Sequence, residues 1–230
     1  MTEQGLHELL KNLNSNNNID LIHSMPLTKN VVFAKVWLDK PSLSSRPSNK
    51  NGPDNFYFIK DEINTFIAVV FDMVYDLHWY VIPEKRKRGY LIRNMKETIL
   101  PHIFSTRKEQ HITIDKDKIG INNFVNSEKV ASSLGFKKIS DSEYLLSNKD
   151  YPKLTSENRH EGASYDEMDT LRTKVFYASQ ILWTVQTELE MKYGNNKLSK
   201  DLIKTKDKIS QYYWKIEDLW YEEMIKKINN

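Results

Sequence analysis

At 230 residues and 27.2 kDa, with 39% hydrophobic and 11% aromatic residues, the chain can build one sizeable core with an appendage, or two small domains. Its 34 basic and 31 acidic residues leave a formal charge of +3, which removes any global electrostatic case for nucleic acid and leaves only local basic clusters. With no cysteine there is no disulfide, thiolate metal site or thiol nucleophile.

The opening MTEQGLHELLKNLN lacks the basic-then-apolar pattern of a secretion signal. The most apolar run, residues 65–81, is interrupted by Asp72, Asp76 and His78, so a soluble, cytoplasmic chain without membrane association is expected. Leu6, Leu9, Leu10 and Leu13 recur at helical spacing and predict an amphipathic helix over 3–13, ending in the asparagine-rich stretch 14–18. VVFAKVWL (31–38) reads as a strand, and residues 39–55, rich in Pro, Ser, Asn and Gly, as a surface loop. NFYFIKDE, TFIAVVFDM and DLHWYVI then form a meander of three strands. A helix over about 89–101, a strand over 111–119, a helix over 126–134 and two closing strands, LGFKKIS and SEYLLS, complete an α/β domain spanning 1–150. A right-handed crossover through the 89–101 helix pairs the 111–119 strand in parallel with the Trp79 strand.

The basic turn EKRKRG, between the Trp79 strand and the helix that follows, has the layout of a phosphate site. Backbone N–H groups of the turn and first helical turn converge, the helix dipole adds partial positive charge, and Lys85, Arg86, Lys87 and Arg88 add more. Pro83, Arg86, Gly89 and Leu91 stand where the GNAT superfamily of N-acetyltransferases carries its P-x-x-R-x-x-G-x-G/A signature, and NSEKVASSLGFKKI resembles that family's second signature through Ser127, Val130, Leu134, Gly135 and Phe136. The resemblance covers about residues 30–147. It implies a GNAT-like mixed sheet with flanking helices, and acetyl-CoA held with its pyrophosphate on the N–H groups of residues 86–91 and with Arg86 and Arg88 as charge partners. Leu91, where the family has Gly or Ala, either crowds the pyrophosphate or turns into the core.

Transfer of an acyl group from a thioester to an amine needs the reactants held in line, the carbonyl polarised, the ammonium deprotonated and the thiolate protonated. In a GNAT fold the strand before the basic turn splays from the next parallel strand. By that resemblance Trp79, Tyr80 and Val81 face residues 112–114 across pantetheine, a free N–H near Val81 meets the acyl carbonyl, and Asn122, Asn123 and Ser127 line the far side. Lys87, Gly89 and Tyr90 belong to the phosphate turn. The tyrosine that often protonates the thiolate is Ala131 here, leaving Tyr80, Tyr90 or a water, and His78, Tyr75 and Tyr80 are the catalytic candidates. Strand alternation separates Tyr75, Leu77 and Trp79 from Asp76, His78 and Tyr80. The acceptor, a protein amine, a polyamine or an aminoglycoside-like molecule, is not legible. No metal site is expected, because the six histidines include no pair at helical ligand spacing and DKDKIG (115–120) lacks a calcium loop's ligands at Ile119 and Asn126.

Residues 151–164 read as a linker. Beyond it Met168, Leu171, Val175, Ala178, Leu182, Val185 and Leu189 form a heptad stripe, Gly194-Asn195-Asn196 breaks the helix, and Leu198, Leu202, Ile209, Tyr212, Ile216 and Leu219 resume it. The expectation is an antiparallel, coiled-coil-like helical hairpin over 165–230. Trp183, Trp214, Trp220, Phe176, Tyr177 and Tyr221 fall mostly off the stripe, and two helices facing only each other cannot bury both sets. A homo-oligomer or a protein partner through residues 165–230 is therefore expected. A competing reading makes the chain a catalytically degenerate GNAT-like scaffold that works through this hairpin.

Overall fold

The computed structural model describes residues 1–15, 17, 21–45, 52–151 and 161–229. The chain divides into two compact units, Met1–Asn158 and Arg159–Asn230. Among the described residues no helix is long and apolar enough to cross a membrane.

The first unit is mixed α/β. Helix α1 (Glu3–Asn14) precedes strands β1 (Ile22–Pro26), β2 (Val31–Val36), β3 (Asp54–Lys60), β4 (Phe66–Asp72) and β5 (Leu77–Val81), which form a five-stranded antiparallel sheet in chain order. β3 and β4 are continuous apolar runs because both of their faces are covered. Tyr57, Ile59, Ala68 and Val70 point into one core, and Phe56, Phe58, Val69 and Phe71 into a second one on the other face. α1 closes that second face with Leu6 and Leu10, each fully buried and each stabilising by roughly 1.5–3 kcal/mol. Its last residue, Asn14, pairs its amide with the N–H and C=O of Phe66, both at 2.9 Å, and so ties the helix end to the start of β4.

After the basic turn come α2 (Tyr90–Asn94), a π-helical turn (Met95–Ile99) and α3 (Leu100–Phe104), which succeed one another without leaving helical backbone. The helix outlasts the expected end at 101. The wider turn lies just ahead of Pro101, whose missing N–H and ring conflict with a regular ladder. β6 (Glu109–Thr113), β8 (Glu143–Ser147) and β7 (Lys137–Lys138) make a separate antiparallel sheet in the order β6-β8-β7. Helix α4 (Lys116–Leu134), interrupted at Gly120, joins β6 to β7, and Gly135, left-handed at φ 91°, ends it. α2 contributes Leu91, the π-helical turn Met95 and Ile99, α3 Leu100 and Ile103, and α4 Ala131 and Leu134 to the first core.

Three expectations are corrected. β1 was not read, because IHSMP lacks alternation; its burial pattern is that of an edge strand held by pairing with β2. The 111–119 strand is shorter and the helix after it longer, since the Asp115 side chain accepts from the Asp117 N–H and caps α4 ten residues before the expected start at 126. Finally, the strands form two antiparallel sheets instead of one mixed sheet.

β5 and β6 run the same way, as Arg107 bonds to Asp72 and Val74, Gln110 to Tyr75, and Thr113 to Asp76, but they share no ladder. The join is made by side chains. Arg107 grips the buried Asp72 carboxylate with two nitrogens at 2.6 and 2.8 Å and donates to Gln110 Oε1 at 2.7 Å. Gln110 Nε2 donates in turn to the Tyr75 and His111 carbonyls.

The second unit is an antiparallel pair, α5 (Tyr165–Tyr193) and α6 (Lys197–Ile228), each opened by a capping box, at Ser164/Glu167 and Asn196/Ser199. Only part of the apolar stripe turns to the seam: Met168 is buried and Val175, Leu182 and Leu189 are half-buried, while Leu171, Ala178 and Val185 stay exposed. The buried residues of α5 are Met168, Arg172, Ser179 and Gln186. Arg172 lies over the Tyr213 ring at 4.0 Å and pairs with Glu217 at 2.9 Å, and Lys206 lies 4.4 Å from the Trp183 ring. Aromatic faces and long charged side chains fill the space between the helices, and Leu171 and Val185 remain exposed.

Candidate functional site

β5 carries the geometry. The Ile82 N–H donates to the Ile67 carbonyl at 3.0 Å, which sets the phase of the β4–β5 ladder. Backbone groups of His78 and Tyr80 turn to β4, and those of Leu77, Trp79 and Val81 turn to the opposite edge. β6 meets that edge only at its start, where Asp76 Oδ1 accepts from the N–H groups of Leu77 (2.8 Å) and Thr113 (2.9 Å). There β6 ends, so the expected juxtaposition of Trp79–Val81 with residues 112–114 is shifted: Thr113 stands at Asp76, and the end of β5 runs on alone. The N–H groups of Trp79 and Val81 have no acceptor among the described residues.

The basic turn continues from this open edge. Pro83–Lys85 makes one 3-10 turn, Lys87 and Gly89 take left-handed backbone (φ 61° and 78°), and Gly89 caps α2. The first bond of the helix runs from the Arg93 N–H to the Gly89 carbonyl, so the N–H groups of residues 87–92 donate to no acceptor among the described residues. Leu91 is buried in the first core, which settles its two alternatives: the side chain leaves the turn unobstructed.

The four basic side chains divide their work. Lys85 Nζ lies 2.7 Å from Asp61 Oδ2 in the β3–β4 turn. Burial acts to raise the Asp61 pKa, but the hydrogen bond from Lys85 and those from the N–H groups of Thr65 and Ile63 outweigh it and hold the carboxyl below its ordinary value. Tyr90 donates to Glu62 at 2.6 Å and makes a second tie to the same turn. Arg86 is exposed, its Nε donates to the Val81 carbonyl at 2.9 Å and its guanidinium lies 5.6 Å from the Tyr80 ring, because a carbonyl on an unpaired edge takes a nearby donor. Lys87 and Arg88 remain exposed beside the free N–H groups.

The three catalytic candidates are not brought together. Tyr75 sits in the β4–β5 turn, exposed, stacked on the His111 ring at 4.5 Å. His78 and Tyr80 point to the opposite side, toward α1. The Tyr80 hydroxyl is 3.1 Å from His7 Nδ1, and its pKa is raised chiefly by burial. The His78 pKa is lowered, first by burial and then by the N-terminal ammonium. Asn122 and Asn123 are exposed and Ser127 half-buried, all on α4.

Ala131, where the resemblance implies a tyrosine, is fully buried in the first core. A cluster absent from the sequence reading lies nearby. The Tyr144 hydroxyl donates to Glu128 Oε1, and Lys138 Nζ is 3.4 Å from the same oxygen. The Tyr144 hydrogen bond is the leading cause that lowers the Glu128 pKa. Residue types alone could not signal it, because it depends on β8 lying next to α4. No family model matches this chain, and no curated protein or solved structure matches it either.

Proposed function

We propose that this chain is an acetyl-CoA-dependent N-acetyltransferase with a GNAT-like fold, acting on a primary amine. One observation carries the reading: an unpaired β5 edge, with the N–H groups of Trp79 and Val81 unused, leads directly into a basic turn whose N–H groups at 87–92 are also unused. The order of strands in the two sheets, their same-direction join at Asp76 and Thr113, and the burial of Leu91 support it further.

The residues fit the group. Lys87, Arg88 and the turn N–H groups would hold its pyrophosphate, Trp79 and Val81 its pantetheine and acyl carbonyl, and Asn122, Asn123 and Ser127 its far side. Bound acetyl-CoA supplies a thioester already activated toward amines. His78, kept neutral by burial, has the form that accepts a proton from the ammonium, and the Tyr80 hydroxyl, on the same side of β5, is the donor assigned to the thiolate. The second reading, a degenerate scaffold, draws on the buried Ala131 and the separation of Tyr75 from His78 and Tyr80. It shares the cofactor site but not turnover.

Calorimetric titration of acetyl-CoA into the full chain tests the reading. Micromolar binding is expected, weakened by roughly tenfold or more in Lys87→Ala/Arg88→Ala, which removes two charge-assisted contacts, and lost in Gly89→Glu. Absence of binding to the wild type overturns it. Binding with no acetylation of polyamine, aminoglycoside or peptide amines, unchanged by His78→Ala, selects the scaffold.

A further inference from the structure

If Tyr80 gives its proton to the thiolate, a phenolate forms at a residue that is 7% exposed, where burial opposes charge. That phenolate has to be stabilised as it forms and reprotonated before the next turnover, and the side chains around it decide both. Two of them reach Tyr80 from different elements. The Arg86 guanidinium, from the basic turn, lies 5.6 Å from its ring and can stabilise a negative charge but not release a proton. His7, from α1, has its Nδ1 3.1 Å from the Tyr80 hydroxyl, with the two rings edge to face at 83°. Histidine is the side chain suited to take up and release a proton near neutral pH, so it can do both.

The sequence of α1 places His7 there. Leu6 and Leu10 are buried in the second core and seat the helix on the sheet. Glu3 and His7, also spaced by four, run along one flank of that buried stripe. This flank turns toward β5: Glu3 acts on both His78 and Tyr80, and His7 reaches the hydroxyl. Asn14 fixes the other end of α1 on β4. His7 is otherwise exposed, so water can exchange protons with it. Glu3 on α1 and Glu84 and Arg86 in the basic turn are the other charged groups that act on Tyr80; the two carboxylates oppose a phenolate and Arg86 favours it.

A phenol has one proton. While Nδ1 of His7 is bare, the Tyr80 hydroxyl donates to it and has nothing to give elsewhere; once Nδ1 carries hydrogen, the bond reverses and the phenol proton is free. We propose that His7 is the positioning residue of Tyr80: its protonated ring donates Nδ1–H to the Tyr80 oxygen, aims the phenol proton away from α1, and then returns a proton to the phenolate. This rests on the acetyl-CoA reading with Tyr80 as the donor. The bonds balance. The Tyr80 O–H bond breaks as an S–H bond forms to the leaving thiolate, and the O–H electron pair stays on oxygen. The His7 Nδ1–H bond then breaks as the Tyr80 O–H bond forms again, and His7, now neutral, regains its proton from water.

His7→Gln keeps a side chain that can hydrogen-bond to Tyr80 but cannot relay a proton, and His7→Ala opens its place to solvent. Calorimetric binding of acetyl-CoA to the full chain is expected to be unchanged in both, because His7 lies at neither the basic turn nor the open edge of β5. Turnover, read as release of the CoA thiol with polyamine, aminoglycoside and peptide amines, is expected to fall roughly 100-fold in His7→Gln. Added imidazole is expected to restore part of the rate to His7→Ala and none to His7→Gln, which a purely structural role of His7 would not produce. In the cofactor-free protein, Tyr80→Phe is expected to move the His7 Nδ1 resonance in nitrogen NMR. An unmoved resonance, wild-type turnover in His7→Gln, or a loss in His7→Ala that imidazole does not restore each overturns the relay and leaves the acetyl-CoA reading standing. A wild type that binds no acetyl-CoA, or binds it without turnover, overturns the reading beneath the relay, whatever the resonance does.

Discussion

Lys85 is the first of four consecutive basic residues that read as one cluster, yet its ammonium faces Asp61, a carboxylate with almost no exposed surface. The Asp61 pKa is lowered in the fold, so the pair contributes stability at neutral pH that is lost as pH falls through the folded value, below the ordinary value of about 4. Lys85→Met is expected to cost about 2 kcal/mol at pH 7. The difference from wild type should shrink toward zero as the carboxyl protonates in both proteins, which denaturant unfolding from pH 7 to pH 3 would measure. Leu91 makes the complementary point. Its direction depends on where α2 begins, and that is decided by Gly89 taking φ 78° as the cap. The motif placed the residue at the turn; only the cap conformation turned it inward.

Helix α5 shows at the scale of an element how a strong pattern can be read correctly and still not make the expected contact. The stripe of Met168, Leu171, Val175, Ala178, Leu182, Val185 and Leu189 marks a helix, but only Met168, Val175, Leu182 and Leu189 turn inward, and the buried Arg172, Ser179 and Gln186 complete the seam. Arg172 is buried with its Nε unbonded among the described residues, held by Glu217 and the Tyr213 ring. Replacing such a cation with an apolar side chain of similar length costs little, whereas removing its carboxylate strands the charge. Arg172→Met is therefore expected to change stability by less than about 1 kcal/mol and Glu217→Leu to cost about 2 kcal/mol, as read by thermal unfolding at fixed protein concentration.

On the scale of the whole molecule, the first unit depends on one polar junction. Arg107, Asp72 and Gln110 hold two sheets side by side at the start of β5 and leave its end open, and the same network holds Val74 at φ 71°, a left-handed conformation that opposes its branched side chain. Arg107→Met leaves the Asp72 carboxylate buried without its partner and is expected to cost about 3 kcal/mol. Hydrogen exchange should show β6 amides losing protection before those of β3 and β4. Under the proposed acetyl-CoA reading, cofactor affinity should fall in parallel, since the edge of β5 would no longer have a fixed neighbour.

The succession of most elements, the basic turn ending at Gly89 and the helical hairpin with its break at Gly194 were legible in the sequence, because each rests on interactions within a few positions of the chain. The edge strand β1, the junction at Arg107, the Tyr144 and Glu128 contact and the polar seam at Arg172 were not. Each joins residues between 16 and 45 positions apart, or a strand to a partner chosen by the whole sheet. Periodicity tells which face of an element is apolar. What that face meets is a property of packing, and in this protein packing alone decided which edge of β5 stays open and which residues of the hairpin meet at its seam.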